Sequence, residues 1–264
     1  MENKQADFLE QILDTVPDGA VENIVIGKHW TAVSIQSECQ HFCGMASTIQ
    51  PIAASGGGHF SASADGKKVS ARQMASRLSS DQPALAGIAA AALNALLQIP
   101  FINGTAENDP DFDYSSSNAE KILLENAPKK RVALVGHFPF TDNLRAVAGH
   151  LDVLEFRPRP GDLPAEMAPE VLPSADLIAI TGMTWVNGTL PDLLALCPPT
   201  AEVMLLGAST PLSPVLFTHG IDYLSGALVK EIDPVMRAVA AGAVYRQIMP
   251  LGLQLVTLRR RNSR

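Results

Sequence analysis

Cysteine and basic residues are scarce in this chain, and each scarcity excludes a class of protein. Three cysteines in 264 residues, an odd number, exclude a disulfide framework and favour a reducing compartment. Twenty lysine and arginine residues against 27 aspartate and glutamate residues leave a formal net charge of −7. Because an acidic surface repels phosphate backbones, we expect no nucleic-acid partner. The basic run near the C-terminus, Arg259 to Arg261, is interpreted as a solvated tail.

Long uninterrupted apolar runs are also missing. The most apolar helical stretch, Ala84 to Ile99, contains Asn94 and Gln98 and is stopped by Pro100, short of the ~20 residues that a membrane span needs. The N-terminal sequence Met-Glu-Asn-Lys-Gln lacks the apolar segment of a signal peptide. Since 47% of the residues are hydrophobic, we expect a globular cytoplasmic protein without a membrane partner.

Three motifs that would identify a reaction are absent as well. No G-x-G-x-x-G follows the first strand of the C-terminal half, and no G-x-x-x-x-G-K-[ST] occurs, which disfavours the usual modes of NAD and P-loop phosphate binding. The nucleophile elbow G-x-S-x-G of serine hydrolases is missing too. The sequence therefore specifies no cofactor.

The first hundred residues carry the apolar patterns of a small α+β unit. The patterns predict a helix at Asp7–Leu13, strands at Val21–Ile26, Trp30–Ile35 and Cys43–Ile49, and helices at Val69–Leu78 and Leu85–Leu96. Ser70 is expected to cap the first of the two later helices. A polar loop or linker is expected from Asn103 to Asn118.

The remainder of the chain alternates strand and helix patterns. Runs that are apolar on both faces are typical of buried parallel strands. Four such runs are Arg131–Gly136, Leu151–Phe156, Asp176–Gly182 and Glu202–Gly207, and a last strand is expected at Leu253–Leu258. We therefore predict an α/β fold. A Rossmann-like doubly wound parallel sheet spans residues 115–264, and a smaller α+β domain spans residues 1–114.

Polar loops follow three of these strands, at Gly136, Gly182 and Gly207. In open α/β sheets, ligands bind outside the carboxyl ends of the strands, and glycine allows a close approach of backbone to ligand. We expect the site to lie between the two domains, because domain interfaces favour ligand cavities and the turn at Asn103 precedes the first of these strands. The candidate catalytic residues are His137 and Asn187, and the candidate ligand-binding residues are Asn103, Gly136, Phe138, Glu155, Asp162, Thr181, Gly182, Thr184, Trp185, Gly188, Thr189, Gly207, Ser209 and Thr210.

The chemistry of these side chains suits a small polar molecule. His137 is a residue type suited to acid–base work and can exchange protons, or it orders its loop through the backbone. Glu155 stands where nucleotide-binding folds place a ribose acceptor, or it is a solvated carboxylate. Asn187 both donates and accepts, or it is a turn residue of an Asn-Gly pair. Phe138 and Trp185 can stack on a ring.

Cys39, His41 and Cys43 are candidates for a metal site, because alternation would place them on one face of a strand. Cysteine and histidine bind soft metals, but no second pair completes four ligands. We therefore expect no structural zinc there and assign no metal ligands.

The C-terminal loops resemble those of the DUF364 family, which is labelled a heavy-metal chelation domain. The resemblance lies in Val135-Gly-His-Phe-Pro139, Gly161-Asp-Leu-Pro164, Ile180-Thr-Gly182, Val186-Asn-Gly-Thr189 and Leu206-Gly-Ala-Ser-Thr-Pro-Leu-Ser-Pro214. The meander and helices of the N-terminal half are similar to the DUF4213 domain that usually precedes it, which has an enolase N-terminal-like fold. The resemblance implies a Rossmann-like, methyltransferase-related C-terminal domain with a site between the two domains.

Four functions remain open at this point. The resemblance implies a binder or enzyme that acts by condensation or hydrolysis on a pterin-, flavin- or siderophore-like metabolite. The alternatives are a protein that binds a heavy metal or metal chelate through His137, Glu155 and Asp162, a relative of S-adenosylmethionine-dependent methyltransferases with Glu155 on the ribose, and a non-catalytic interaction module. A small-molecule ligand is the expected partner, and self-association into a homo-oligomer stays open.

Overall fold

A computed structural model describes residues 4–49, 58–61, 69–79, 83–106, 109 and 112–261. The N-terminal part contains helix α1 at Lys4–Asp14 and strands β1 at Ala20–Ile26, β2 at Trp30–Ser37, β3 at Gln40–Ser47, β4 at Gly58–Ser61 and β5 at Val69–Ser70. Helices α2 at Ala71–Ala75, α3 at Pro83–Leu97 and α4 at Ile99–Ile102 follow. The strands form an antiparallel sheet in the order β3-β2-β1-β4, and β5 pairs with β1. This small sheet is the predicted α+β unit.

Helix α3 packs on one face of this sheet through a glycine in β3. A Cβ atom on Gly44 would lie 2.1 Å from the carbonyl oxygen of Ala91, so only glycine allows this approach. The amide of Asn94 donates to the Met45 carbonyl at 2.8 Å, and that of Gln98 donates to the Cys43 carbonyl. The two polar residues that interrupt the apolar stretch therefore satisfy carbonyl groups of β3.

The apolar stretch does not stop at Pro100 as expected but continues through α4, so it has the length and composition of a membrane span, and it lies in the core. Residues Leu85–Ile102 have a mean hydropathy of 1.8, and 78% of the stretch is buried inside the protein. Core helices of globular proteins pass the same test of length and composition. The packing against β3 identifies this stretch as such a core helix.

The C-terminal part contains an eight-stranded, largely parallel sheet. Its strands are β6 at Phe112–Ser115, β7 at Arg131–Val135, β8 at His150–Glu155, β9 at Leu163–Pro164, β10 at Leu177–Thr181, β11 at Glu202–Leu206, β12 at Tyr223–Val229 and β13 at Leu253–Arg260. Its helices are α5 at Ala119–Asn126, α6 at Thr141–Val147, α7 at Ala168–Val171, α8 at Met183–Val186, α9 at Leu190–Leu194, α10 at Ile232–Ala240 and α11 at Tyr245–Ile248. The Rossmann-like prediction is confirmed.

The strand order of this sheet creates a switch point between β7 and β10. The order is β6-β13-β12-β11-β10-β7-β8-β9, with β13 antiparallel to both of its neighbours. From β7 the chain runs outward through β8 and β9, then returns to β10 on the other side of β7 and continues outward to β12. Loops that leave the carboxyl ends of β7 and β10 therefore diverge and open a crevice.

Three strands of this sheet were not predicted from the sequence, namely β6, β9 and β12. The apolar pattern of β12 is interrupted by Ser225, which shares a hydrogen bond with Thr257 of β13, and by Gly226, against which Leu212 packs. The loop expected from Asn103 to Asn118 is wrong in part, since β6 lies within it and pairs with β13. Strand β6 also spans the predicted domain boundary at residues 114 and 115, which stays a prediction.

Helix α10 of the C-terminal part packs on the second face of the small sheet. Val235 and Val239 of α10 share a buried cluster with Val25, Ala32 and Met45. The small sheet is thus enclosed between α3 and α10, and the two halves of the chain share buried surface. This packing holds the ends of β2 and β3 close to the crevice of the large sheet.

Candidate functional site

Two cavities open at the switch point, and both reach the loops after β7 and β10. The first, of about 460 Å³, lies on the β8 side and is called the β8-side cavity; it is bounded by the ends of β7, β8 and β10 and by α8 and its following turn. The second, of about 450 Å³, is called the inter-sheet cavity, because Trp30 and Ser47 of the small sheet complete it. His137, Phe138, Thr181 and Met183 line both cavities.

Most of the predicted site residues surround these two cavities. Those in the β8-side cavity are Gly136, His137, Phe138, Glu155, Thr181, Thr184, Asn187 and Thr189. Those in the inter-sheet cavity are His137, Phe138, Thr181, Gly182, Gly207 and Ser209. Five predicted residues line neither cavity, namely Asn103, Asp162, Trp185, Gly188 and Thr210.

His137 is held from two sides at the junction of the cavities. Its ring Nδ1 lies 3.1 Å from Oδ2 of Asp162, and its backbone N–H donates to Oε1 of Glu155 at 2.8 Å. The side chain of Asp162 is 2% exposed, whereas that of His137 is 18% exposed. A carboxylate on Nδ1 favours the tautomer that carries its proton there, which leaves Nε2 as the exchangeable nitrogen. Asp162 therefore acts as the positioning residue of His137.

Glu155 shapes the same loop. Its two carboxylate oxygens accept the backbone N–H groups of His137 and Phe156, at 2.8 and 3.1 Å. The side chain also lines the β8-side cavity. An ionised carboxylate offers about four acceptor positions, so both oxygens keep capacity for a ligand hydroxyl.

Asn187 has the turn geometry that was the alternative interpretation. Its Oδ1 accepts the backbone N–H of Thr189 at 3.1 Å and the Thr189 hydroxyl at 2.8 Å. The amide oxygen is therefore committed to the turn, while the residue lines the β8-side cavity. Toward a ligand, the remaining function of this side chain is to donate from Nδ2.

The aromatic role predicted for Trp185 is wrong. Its side chain is fully buried in the main core, because α8 packs against α3 and β3. Thr210 is also buried, beneath Gly182, where an added Cβ would lie 2.6 Å from the Thr210 nitrogen. Asn103 is exposed at the end of α4, and Gly188 lies near the Gln5 side chain, so neither residue lines either cavity.

Of the four aromatic side chains that line the inter-sheet cavity, only Phe138 was predicted from the sequence. Trp30 pairs with Tyr245 at a ring-centroid distance of 5.6 Å, and Phe138 stacks on Phe140 at 5.3 Å. All four rings line this cavity. Burial raises the pKa of Tyr245 to about 12, so its hydroxyl stays protonated at neutral pH. Trp30 and Tyr245 lie near opposite ends of the chain. Apart from the overall apolar composition, nothing in the sequence indicates that they meet.

Ser47 and Ser209 connect the two sheets at the edge of the cavity. Oγ of Ser209 accepts the backbone N–H of Ser47 at 2.9 Å and shares a second hydrogen bond of 2.9 Å with the Ser47 hydroxyl. The loop after β11 is therefore attached directly to the end of β3. The predicted ligand residue Ser209 has a structural partner that the sequence did not indicate.

Comparison with known proteins places the chain in a family. The DUF364 model, described as "Putative heavy-metal chelation", matches residues 118–255, more than half of the chain. The chain belongs to the DUF364 family. The DUF4213 model, with the same description, matches residues 9–97. No curated protein matches.

Solved structures of DUF364 proteins share the fold of this one. A protein with unknown function from Desulfitobacterium hafniense has 27% identity and a TM-score of 0.77, over 98% of this chain and 99% of that one. A protein with unknown function from Pyrococcus horikoshii has 15% identity and a TM-score of 0.78, over 97% and 99%. The likeness establishes the two-part architecture along the whole chain and names no reaction.

The family description directs attention to metal ligands in this DUF364 protein. Within the described residues, no group of three or more His, Cys, Asp and Glu side chains could hold a metal ion. Asp162 is hydrogen-bonded to the ring of His137, and Glu155 accepts a hydrogen bond from the backbone N–H of His137. His41 is exposed and pairs with Glu22 at 2.9 Å, and burial raises the pKa of the Cys43 thiol to about 12, which disfavours a thiolate ligand.

Proposed function

We propose that this protein binds a planar, ring-containing small molecule in the inter-sheet cavity and that His137 exchanges a proton with it. The observation that carries the proposal is the position of His137, held by buried Asp162, where the ends of β7 and β10 meet. Such a carboxylate–imidazole pair suits general acid–base work.

The walls of the cavity favour a flat, weakly charged ligand. Trp30, Phe138, Phe140 and Tyr245 offer ring faces, and glycines at the strand ends allow a ring to approach the backbone. Glu120 and His137 are the titratable lining groups besides Tyr245, and no lysine or arginine lines this cavity in the described part of the chain. A pterin or the fused ring system of a flavin precursor has these properties.

Condensation and hydrolysis both require the proton transfer that His137 can provide. As a base, Nε2 takes a proton from the attacking hydroxyl or water, and as an acid it returns that proton to the leaving group. Asp162 keeps the imidazole in one orientation through both steps. The protein therefore needs no further titratable group at this position for a single transfer.

A metal chelate is the second candidate ligand, and the family description favours it. Since the described residues hold no three-ligand cluster, the metal would arrive inside an organic chelator. The protein would then recognise the rings and carbonyl groups of the chelator and leave the metal coordination intact. Aromatic walls suit catecholate or heterocyclic chelators.

A ligand screen with tryptophan fluorescence tests the proposal. Trp30 lines the inter-sheet cavity, whereas Trp185 is buried in the core, so a ligand in the cavity should change the emission of Trp30 alone. Pterins, flavin precursors and iron–catecholate chelates are the probes, and thermal shift gives a second reading.

The variants make the screen decisive. We expect a bound probe to raise the Tm of wild type and of the control Asn103→Ala equally, because Asn103 lies outside both cavities. In Phe138→Ala the shift should be at least halved, and in Trp30→Phe the change in emission should disappear. Equal shifts in Phe138→Ala and wild type, or no response to any probe, would refute the proposal.

A further inference from the structure

We infer that the β8-side cavity is a second ligand site that takes a nucleoside without phosphate groups. Nucleoside binding in this cavity does not depend on the proposed function. Only the presence of a second molecule in the neighbouring inter-sheet cavity rests on it. The two cavities are of similar size, about 460 and 450 Å³, and each is within the range of small-molecule sites. His137 and Thr181 belong to the wall between them, so two bound molecules would meet at the His137 ring.

The charge of the β8-side cavity excludes a phosphorylated ligand. Its titratable lining residues are His137, Glu155 and Glu166, and no described lysine or arginine lines it. Two carboxylates in a partly closed cavity repel the charge of a phosphate. A neutral or cationic molecule meets no such repulsion.

The backbone N–H groups of the loop after β7, which could bind a phosphate, are already hydrogen-bonded within the protein. In nucleotide-binding folds of this topology, the free N–H groups of that loop hold the phosphates. Here the N–H of Gly136 donates to the Leu154 carbonyl at 2.9 Å, that of His137 donates to Glu155, and that of Phe138 donates to the Thr141 hydroxyl at 3.0 Å. Three consecutive donors are thus unavailable to an anion.

The sugar contacts of such folds are nevertheless in place. Glu155 ends the strand next to β7 and stands 19 positions after Gly136, which is the place of the acid that accepts ribose hydroxyls. Both of its oxygens keep acceptor capacity beside their backbone bonds. Asn187 lines the same cavity with its oxygen committed, so its Nδ2 can donate to a ring oxygen or nitrogen.

An exposed aromatic ring at the cavity explains how the base would bind. The ring of Phe156 is 67% exposed and lines the β8-side cavity. Leaving a phenyl ring in water is costly, and a stacked base would cover it. Phe138 lines the same cavity and offers a second ring.

Calorimetry with matched nucleosides tests the inference. The probes are adenosine, guanosine and cytidine, with adenosine 5′-monophosphate as the charged counterpart. We expect at least one nucleoside to bind wild type. Adenosine 5′-monophosphate should bind at least tenfold more weakly than adenosine.

Three variants locate the binding. Glu155→Gln keeps an acceptor for the His137 N–H and should weaken nucleoside binding at least tenfold. Phe156→Ala changes an exposed side chain, so it should fold normally and also weaken binding. The control Glu120→Gln alters a carboxylate of the inter-sheet cavity only and should leave nucleoside binding unchanged.

The outcomes separate this inference from the proposed function. No binding by any nucleoside, equal or tighter binding of the monophosphate, or full binding by Phe156→Ala would overturn it. Trp30 emission reports the inter-sheet cavity independently, since Trp30 does not line the β8-side cavity. Nucleoside binding without any ring-compound response at Trp30 would overturn the proposed function and leave the second site standing.

Discussion

At the scale of single residues, burial decides what an aspartate–histidine pair contributes. Among the described residues, the C-terminal part contains two such pairs. His137 and Asp162 are held at 3.1 Å with side chains 18% and 2% exposed, whereas His150 and Asp152 lie 3.0 Å apart with side chains 54% and 22% exposed. Water competes for the second pair and little for the first, so only the first can orient a ring for chemistry.

The two pairs make a matched prediction. Asp162→Ala should lower the free energy of unfolding by about 1–3 kcal/mol, because it leaves His137 Nδ1 and the Arg159 N–H without their acceptor. Asp152→Ala should cost less than about 1 kcal/mol, as exposed pairs do. Urea denaturation of both variants measures the difference. Equal losses would show that Asp162 does not hold His137 in place.

At the scale of secondary-structure elements, close approach of backbones positions the site. Helix α3 lies so near β3 at Gly44 that an added Cβ would be 2.1 Å from one backbone atom of α3 and 2.2 Å from another. This contact places the end of β3, with Ser47, beside the loop after β11. The hydrophobic pattern predicted α3 and β3 separately, and the glycine between them is what allows the two elements to touch.

A single methyl group at this contact should be costly. Gly44→Ala should destabilise the protein by about 3 kcal/mol or more, the upper end of the range for overpacked cores, because two backbones must separate. Gly104→Ala is the control. Its Cβ would meet open space, and the strain of a φ of +72° costs only about 1–2 kcal/mol. Thermal unfolding monitored by circular dichroism compares them, and a Gly44→Ala loss no larger than the control would contradict the packing described here.

At the scale of the whole molecule, the two halves form one structure around the crevice. Helix α10 covers the second face of the small sheet, and Cys43 lies in that buried contact. Trp30 and Tyr245 reach the same cavity from the two halves of the chain. The inter-sheet cavity therefore exists only while both halves are docked.

Thiol reactivity measures that docking. Burial raises the pKa of Cys43 and of Cys197 to about 12, so at pH 8 both thiols are almost entirely protonated. Cys39 is exposed. We expect Ellman's reagent to modify one thiol per native chain rapidly and all three in guanidinium chloride. Only Cys43 lies in the contact between the halves, so rapid modification of the native Cys39→Ser/Cys197→Ser double variant would mean that the halves separate readily in solution.

The sequence by itself determined the repeating elements and the edge of the sheet where the chemistry lies. Strands β7, β8, β10 and β11 follow from short runs apolar on both faces, since a buried parallel strand has no polar side. The carboxyl ends of those strands then carried His137, Glu155 and Thr181 into the crevice, because parallel strands end at one edge.

Only the tertiary structure decided which residues meet across that edge. Trp185 and Asn103 have side chains as suitable for a ligand as those of Trp30 and Phe156, yet the first is buried by α3 and the second lies outside both cavities. Strand β12 was not predicted, because Ser225 and Gly226 break its apolar pattern. Their contacts are with Thr257 and Leu212, which are distant in the chain. Local patterns record the preference of a residue for a helix or strand. The partner of a side chain is set by long-range packing, so the walls of the site emerge only when both sheets are assembled.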